Sequence, residues 1–247
     1  MKAYRQKAFK AAVSLLACAA MLFTLTPGQI LPVTAEETEP DWSEYTPVST
    51  PEELDAVRND LSGKYYLTND IVFSEDDFAK GGVFYNNGQG WKPIGENSNS
   101  AFTGIFDGDG YSIIGLQLNR SSDANVGVFG YNKGTIRNLG IKDSTITSTK
   151  VSGYAGGITG YNNGVMERCF NINTNVSIPY DGGGIAGHSD AGSRITDCYN
   201  TGTIRFTNNS SSGSVAGIVG YNQGGKIQNC YSIGNVTGNT SNIHGIA

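Results

Sequence analysis

Short apolar runs alternate with glycine and polar residues, and the same pattern repeats along the second half of the chain. Each repeat opens with a glycine, a branched apolar residue, a variable residue and a second glycine or its equivalent. The openings begin at Gly127, Gly157, Gly184, Gly217 and Gly245, so they recur after 30, 27, 33 and 28 residues. A period of this length is typical of solenoid proteins, in which each repeat forms one coil.

Each repeat contains three strand-like segments that are separated by Gly and Asn turns. The second residue of the opening is always branched and apolar, whereas the third residue varies from Phe129 to Ala247. Because side chains alternate across a strand, this pattern predicts that the second position faces inward and the third faces outward. Three short strands in ~30 residues predict one coil of a right-handed parallel β-helix.

A short amphipathic helix is predicted over residues 50–63, ahead of the repeats. Thr50 suits the N-cap, Pro51 suits the first helical position, and Glu53 stands where it can close a capping box. Terminal repeats of a solenoid need caps, so we expect this helix to cover the N-terminal end. Residues 64–126 then predict N-terminal β-helix coils, and residues 127–247 the regular repeats, the last of them truncated.

Residues 1–35 have the layout of a secretory signal peptide. A basic start precedes an apolar run from Ala11 to Leu25, and Val33–Ala35 fits a cleavage site. The apolar run is shorter than the ~20 residues that a membrane span requires, although a lipoprotein signal at Cys18 is an alternative interpretation. Residues 36–49 are acidic and predict a linker. We therefore expect an extracellular protein, either secreted or associated with the cell wall, with no membrane span in the mature chain.

The charge and the cysteine content exclude several classes of partner and site. The net charge of −5 becomes −9 when the basic signal residues are removed, and such an acidic surface repels phosphate, so we predict no nucleic-acid partner. The mature chain has three cysteines, Cys169, Cys198 and Cys230. Their odd number and wide spacing fit neither a disulfide framework nor a zinc site.

The repeats resemble the GLUG motif of bacterial surface proteins, in which Gly-Leu/Ile-x-Gly precedes a turn and an Ile-x-Asn-Cys-Tyr strand. Upstream, Trp91–Gly95 and Phe102–Gly108 resemble the lead-in of that family. The resemblance covers residues 50–247 and implies a right-handed β-helix on secreted or wall-associated proteins of Gram-positive and related bacteria. Some members of the family are IgA-cleaving metallopeptidases. Their zinc-binding helix motif is absent from this sequence, so the resemblance does not extend to that activity.

Two acidic segments resemble functional sites. Asp107 and Asp109 lie in a segment similar to a calcium loop, but Tyr111 stands where a third oxygen ligand is needed, so we predict a Gly-rich turn. Glu75–Asp77 would supply carboxylates for sugar chemistry, but the repeats carry no acid at one recurring position. We therefore predict a solvated acidic loop there, no metal and no cofactor.

The cysteines are the remaining candidate nucleophiles. They occupy the position that Leu139 fills in the first repeat, which predicts small buried core residues. A Cys–His nucleophile would need His188 beside one of them together with an orienting third group. We predict no catalytic residue. The same alignment places Asp197 beside Arg168 on neighbouring coils, which predicts an ion pair.

An aromatic ladder is the candidate binding site. The fifth residue of each opening is aromatic or His, and stacked coils would place these side chains ~4.8 Å apart on the outer surface. The predicted ladder consists of Tyr131, Tyr161, His188 and Tyr221. Such a ladder either binds sugar rings or peptide, or stabilises the solenoid by stacking on itself.

The sequence thus predicts a non-catalytic extracellular module that serves adhesion or ligand binding, or holds other domains away from the cell. The expected partners are extracellular glycans or host and matrix proteins. The alternatives are an enzyme that acts on extracellular polysaccharide and the non-catalytic part of a larger surface peptidase. Because the chain stops three residues into a new repeat, we also expect further repeats or domains after Ala247.

Overall fold

The computed structural model describes residues 40–208, 213–238 and 242–247. Residues 41–247 form one compact unit. The predicted signal peptide and the first part of the predicted linker lie outside the described residues. In the described part of the chain, no helix is long and apolar enough to cross a membrane.

The described part of the chain is a parallel β-solenoid, which confirms the predicted parallel β-helix. Each regular coil contributes strands to five parallel sheets rather than to the three that the sequence predicted. We number the sheets 1 to 5 in the order in which a coil visits them. Short turns separate successive strands. The three predicted segments correspond to sheets 5, 1 and 3, and the strands that the regular coils contribute to sheets 2 and 4 were not predicted.

The bounds of the strands are as follows. Sheet 1 contains Thr46–Val48, Lys64–Leu67, Ile105–Asp107, Thr135–Arg137, Val165–Glu167, Arg194–Thr196 and Lys226–Gln228. Sheet 2 contains Ile71–Val72, Ser112–Ile114, Gly140–Lys142, Phe170–Ile172, Tyr199–Asn200 and Tyr231–Ser232. Sheet 3 contains Gln117–Arg120, Thr145–Ser148, Asn175–Ile178, Thr203–Phe206 and Val236–Thr237. Sheet 4 contains Asn125–Val126, Tyr154–Gly156, Asp181–Gly183, Val215–Ala216 and Ile243–His244. Sheet 5 contains Phe129–Asn132, Thr159–Asn162, Ala186–Ser189 and Val219–Asn222.

The N-terminal helix is shorter than predicted. It spans Pro51–Ala56 and continues as a 3₁₀ turn over Val57–Asn59. The Thr50 side chain accepts a hydrogen bond from the Glu53 backbone nitrogen at 3.2 Å, as expected of an N-cap. The Glu53 carboxylate accepts from the nitrogen and the hydroxyl of Ser49, both at 2.7 Å, so the predicted capping box is displaced by one residue.

The helix packs on the first coils. Leu54 and Val57 are fully buried in the common core. The Arg58 guanidinium lies 5.4 Å from the centre of the Trp91 ring and donates to the Lys92 carbonyl at 2.8 Å. The prediction of a linker over residues 36–49 is wrong in its last part, because Thr46–Val48 forms the first strand of sheet 1.

A second short helix, Glu75–Phe78, stands where the sequence predicted a solvated acidic loop. The Asp77 carboxylate accepts from the nitrogen and the hydroxyl of Ser74 at 2.7 and 2.8 Å, which closes a capping box. Phe78 packs 5.4 Å from Phe73 in an aromatic cluster that also contains Trp91. The polar segment that begins at Glu75 and ends at Gln89 is therefore held in place by aromatic residues that have no equivalent in the other repeats.

The core is built from columns of inward side chains that stack from coil to coil. In sheet 1 the column is Phe106, Ile136, Met166, Ile195 and Ile227. In sheet 3 it is Leu118, Ile146, Val176, Ile204 and Val236. Each fully buried aliphatic side chain contributes about 1.5–3 kcal/mol. In sheet 2 the column changes from Ile141 to Asn171 and Asn200, both fully buried. The Asn171 amide donates to the Gly184 carbonyl at 3.2 Å.

In the four openings that begin at Gly127, Gly157, Gly184 and Gly217, both glycines are required by close packing of backbones. A Cβ on Gly160 would lie less than 3 Å from the Val126 nitrogen, and the same holds for Gly187 and the Ala155 nitrogen. A Cβ on Gly157 would collide with the Gly184 carbonyl of the next coil. The glycines therefore let sheet 5 lie directly on sheet 4 and let successive coils stack at the corner.

The prediction that the third position of the opening faces outward is wrong. The second position is fully buried in the first four openings, and so is the third, which is Phe129, Thr159, Ala186 and Val219. In the fifth, at the end of the sequence, Ile246 is exposed. Phe129 packs 5.0 Å from Phe102 and 5.3 Å from Phe106. The opening residues Gly127 and Val128 form a bend rather than a strand, so the alternation of side chains restarts after the corner.

Candidate functional site

The predicted aromatic ladder is present in register on sheet 5. Tyr131 pairs with Tyr161, Tyr161 with His188, and His188 with Tyr221. The Tyr131 and Tyr161 rings are 4.4 Å apart and 11° from parallel, and the Tyr161 and His188 rings are 4.3 Å apart and 15° from parallel. His188 and Tyr221 are 5.3 Å apart and tilted by 38°. The parallel coils thus convert a sequence repeat into a continuous stack of rings.

The ladder is enclosed more deeply than the sequence predicted. Tyr154, on the neighbouring sheet 4, lies edge-on to Tyr161 at 5.4 Å and 4.8 Å from the His188 ring. Tyr131 and Tyr161 are half-buried, His188 is 3% exposed, and Tyr221 is 46% exposed. The accessible part of the ladder therefore consists of the edges of the Tyr131 and Tyr161 rings and of Tyr221, which ends the stack on the last described coil.

The electrostatic environment of the ladder favours neutral side chains. Burial, reinforced by the nearby Asp190 carboxylate, raises the pKa of Tyr161. Burial lowers the pKa of His188, and Asp190 offsets part of this effect. Among the described residues, neither imidazole nitrogen of His188 has a hydrogen-bond partner. The nearby Gln223 side chain raises the pKa of His188 and so opposes the effect of burial.

Asp181 is a buried carboxyl group beside the ladder. It pairs in register with Tyr154 and is 5% exposed. Burial raises its pKa from 3.8 to about 6, although the hydrogen bond that it accepts from the Ser214 nitrogen at 2.8 Å acts in the opposite direction. The alignment of the repeats did not identify this residue, because its equivalents in the neighbouring coils are Asn125 and Tyr154.

Sequence reasoning missed a second aromatic ladder, on sheet 2. Phe170, Tyr199 and Tyr231 stack in register at 5.3 Å, with both ring pairs within 6° of parallel. The Lys142 amine lies 5.6 Å from the centre of the Phe170 ring. Tyr231 is 53% exposed. The signal was present in the sequence, because an aromatic residue follows the core cysteine in three consecutive repeats.

The segment similar to a calcium loop is a hydrogen-bonded turn. The Asp107 carboxylate pairs with Arg137 at 2.6 Å, accepts from the Asn138 amide at 2.8 Å, and accepts from the Asp109 nitrogen at 2.9 Å. Its oxygens are therefore already used by donors of the protein. Across residues 40–208, 213–238 and 242–247, no group of three or more His, Cys, Asp or Glu side chains could hold a metal ion.

The predicted ion pair between Arg168 and Asp197 is wrong. Arg168 donates instead to the Asn138 side chain at 2.6 Å, and Asp197 accepts from the Asn229 amide at 3.0 Å. All four residues occupy the same turn of successive coils with a positive φ of 51–55°. Each of the two contacts thus joins one coil to the next through a different partner.

The cysteines lie in the core column below Leu139. Cys169 and Cys198 are fully buried, and the Cys198 thiol donates to the Thr196 carbonyl at 3.2 Å. All three thiols are free, but Cys230 is only half-buried, so the prediction of three buried cysteines is wrong for the last one. Cys169 and Cys198 follow the strands of sheet 1, whereas His188 lies on sheet 5. The structure therefore assigns the buried cysteines to packing.

Comparison with known proteins identifies the repeats. The family model described as the GLUG motif matches residues 179–205 and 211–237. A protein of Evansella cellulosilytica that is described as a Gly-rich membrane protein is 35% identical over 124 residues, which cover 49% of this chain and 13% of the relative. Halomucin of Haloquadratum walsbyi is 32% identical over 192 residues, which cover 70% of this chain and 2% of the relative. The chain thus spans a small part of the curated relatives that it matches.

Two solved structures also align with the chain. One is described as an immunoglobulin A1 protease from Bacteroides ovatus, with 18% identity, a TM-score of 0.49, and coverage of 81% of this chain and 83% of that one. The other, described as an IgA1 protease, has 16% identity and a TM-score of 0.36 over 80% of this chain and 20% of that one. With identities under 25% and TM-scores under 0.5, neither alignment indicates a function for this chain.

Proposed function

We propose that this chain, a GLUG-motif repeat protein, is a non-catalytic extracellular β-solenoid module that binds a ligand through the aromatic ladder on sheet 5. The ligand class that we propose is an extracellular glycan or a matrix protein. The observation that carries the proposal is the in-register stack of Tyr131, Tyr161, His188 and Tyr221. Solenoids use such extended, regular surfaces for binding.

The exposure of the ladder supports a role in binding as well as in stability. Tyr131 and Tyr161 are half-buried and expose part of their rings, and Tyr221, which lies on the last described coil with no ring stacked after it, is 46% exposed. An aromatic ring with a polar tip provides both an apolar surface for a sugar ring or peptide and a hydrogen-bonding group. The Lys133 amine, 5.6 Å from the Tyr131 ring centre, adds a positive charge at the opposite end.

The sequence and the relatives support the extracellular location. The first 35 residues have the layout of a secretory signal. One relative is described as a membrane protein, in keeping with a place at the cell surface. Free cysteines that are buried in the core also remain protected from oxidation in such an environment.

An array of extracellular glycans and matrix proteins tests the proposal. We expect the full chain to bind at least one ligand for which Tyr221→Ala weakens the binding roughly tenfold, in keeping with about 1.4 kcal/mol for an aromatic contact. Tyr221→Phe keeps the ring and should keep most of the affinity. Tyr231→Ala is the matched control, because Tyr231 is similarly exposed on the other ladder. Equal binding of every array ligand by Tyr221→Ala and the wild type would contradict the assignment to sheet 5.

A further inference from the structure

A polar groove lies on the outer face of sheet 3, away from both aromatic ladders. Its volume is about 470 Å³, within the range of small-molecule sites in proteins. Gln117, Asn119, Thr145 and Thr147 form its floor, and Phe78 and the Gly88–Gly90 segment line its sides. The groove is thus built from two adjacent coils and from the segment that contains Phe78, Gly88 and Gly90.

The floor offers hydrogen-bonding groups that the protein does not use. Gln117 pairs in register with Thr145, and Asn119 with Thr147, so the four side chains form two rows on the outward face. Gln117, Asn119 and Thr145 are exposed and Thr147 is half-buried. Among the described residues, none of these four side chains makes a hydrogen bond within the protein, although their backbones are paired in the sheet. A ligand in the groove would therefore meet available donors and acceptors.

The side of the groove is held in place by backbone contacts. The Trp91 nitrogen donates to the Gln117 carbonyl at 2.9 Å, and the Asn119 nitrogen donates to the Gln89 carbonyl at 2.9 Å. Gly90 has a φ of +70° and forms an antiparallel bridge with Leu118. A Cβ on Gly90 would collide with the Gln117 carbonyl, so this close approach requires glycine. The groove is therefore preformed rather than assembled by the ligand.

The chemistry of the lining favours an uncharged, hydroxyl-rich ligand. In the described part of the chain, no charged residue lines the groove. The short helix that carries Phe78 presents the exposed carboxylates of Glu75 and Asp76, and these would repel an anionic chain. Amide and hydroxyl side chains can hydrogen-bond to the hydroxyl groups of a sugar, and the edge of the largely buried Phe78 ring adds a small apolar contact.

We propose that this groove binds a neutral polysaccharide. Successive coils repeat every ~4.8 Å, so an extended glycan that runs along the solenoid meets the same pair of polar positions at each coil. The two rows continue as Asn175 and Ser177 on the next coil and reach Thr203 and Arg205 on the one after. Arg205 is the first charge in the rows, so the neutral surface extends over three coils.

Native affinity electrophoresis of the full chain tests this proposal. Gels contain barley β-glucan, laminarin, xylan or galactomannan as neutral probes and alginate as the anionic probe, and mobility is compared with a gel that lacks polysaccharide. We expect retardation in at least one neutral gel and none in alginate. Asn119→Ala combined with Thr147→Ala should raise the dissociation constant roughly tenfold or more, since two neutral hydrogen bonds are lost.

A steric variant and its matched control separate the groove from the rest of the surface. Thr145→Arg fills the groove and should abolish retardation, whereas Gln228→Arg adds the same charge on the exposed face of sheet 1 and should not. Tyr221→Ala should also leave retardation unchanged, so the groove and the ladder are tested independently. Absence of retardation in every neutral gel, retardation in alginate alone, or full retardation of Thr145→Arg would overturn the proposal.

Discussion

Tyr161 and His188 stack face to face, with ring centres 4.3 Å apart, although they are 27 residues apart in sequence. The contact arises because each residue is the fifth of its opening and the two strands pair in parallel register. His188 is the only one of the four ladder residues that is not Tyr, and it lies in the most enclosed position. A titratable ring is therefore held inside an aromatic stack.

This enclosure predicts an acid-sensitive contribution to stability. Burial lowers the pKa of His188, so the unfolded chain, which titrates near 6.5, binds the proton more readily than the folded protein. The contribution of neutral His188 to the free energy of unfolding is therefore complete above pH 6.5, and it is lost as the pH falls from 6.5 towards the lowered pKa. Urea unfolding of the wild type and His188→Phe, at about pH 7.5 and about pH 5, should show the larger acid-induced loss in the wild type.

An NMR titration gives the corresponding direct measurement. His244→Gln leaves His188 as the single imidazole of the chain. Its ring protons should titrate below 6.5 in the folded protein. A titration midpoint above pH 6.5 would show that the effect of Asp190 exceeds that of burial. Protonation of His188 would then stabilise the folded protein, and the predicted loss of stability at acidic pH would be wrong.

Asp181 predicts the opposite dependence on pH. Its pKa is raised from 3.8 to about 6, so its unfavourable effect is absent below 3.8 and develops as the pH rises to about 6. The difference between a pKa of 3.8 and one of about 6 corresponds to about 3 kcal/mol of stability. Asp181→Asn can still accept from the Ser214 nitrogen, so it should stabilise the protein by up to about 3 kcal/mol at neutral pH and leave it unchanged near pH 4. An equal change in stability at both pH values would argue against a buried carboxyl group with a raised pKa.

The glycine contacts predict a large difference between two chemically identical substitutions. Gly160→Ala places a Cβ against the backbone of Val126, which cannot move away as the end of a side chain can, and should cost at least about 2 kcal/mol. Gly245→Ala is the matched control, because a Cβ there meets no atom within 4 Å. Urea unfolding curves compare the two. Similar stabilities would mean that sheets 4 and 5 lie further apart than the structure shows.

The cysteine column predicts a graded reactivity towards thiol reagents. Cys169 and Cys198 should react only after unfolding, because both are fully buried. Cys230 is half-buried, and the hydrogen bond with the Cys198 thiol, together with burial, raises its pKa, so it should react slowly in the native protein. Mass spectrometry after timed labelling assigns each site. Rapid native labelling of Cys169 would contradict its place in the core.

The sequence determined the parallel fold because its repeats carry the inward columns directly. Ile136, Met166 and Ile195 recur at one position of each coil, and a parallel stack is the arrangement that buries all of them. The same periodicity placed Tyr131, Tyr161, His188 and Tyr221 in one row. The resemblance to the GLUG motif led to the same fold.

The features that sequence reasoning missed depend on contacts without periodic counterparts. The inward position of Phe129 follows from the bend at Gly127, which resets the alternation of side chains. The groove on sheet 3 needs the 86–91 segment to return to the edge of Gln117–Arg120, a contact made once in the described chain. Arg168 and Asp197 bind different partners because each residue at this turn lies between the equivalent residues of the preceding and the following coil. Arg168 binds the preceding residue, Asn138, and Asp197 binds the following one, Asn229.

Analysis of the ligand after binding tests the central claim most directly. The full chain is incubated with the glycan or matrix protein that it retains on the array, and the bound ligand is eluted and compared by mass spectrometry with ligand kept without protein. A non-catalytic module predicts that the wild type releases its ligand unchanged in mass and in quantity, and that Tyr221→Ala retains less of it. Shortened or eliminated products that accumulate with time in the presence of the wild type would contradict the account.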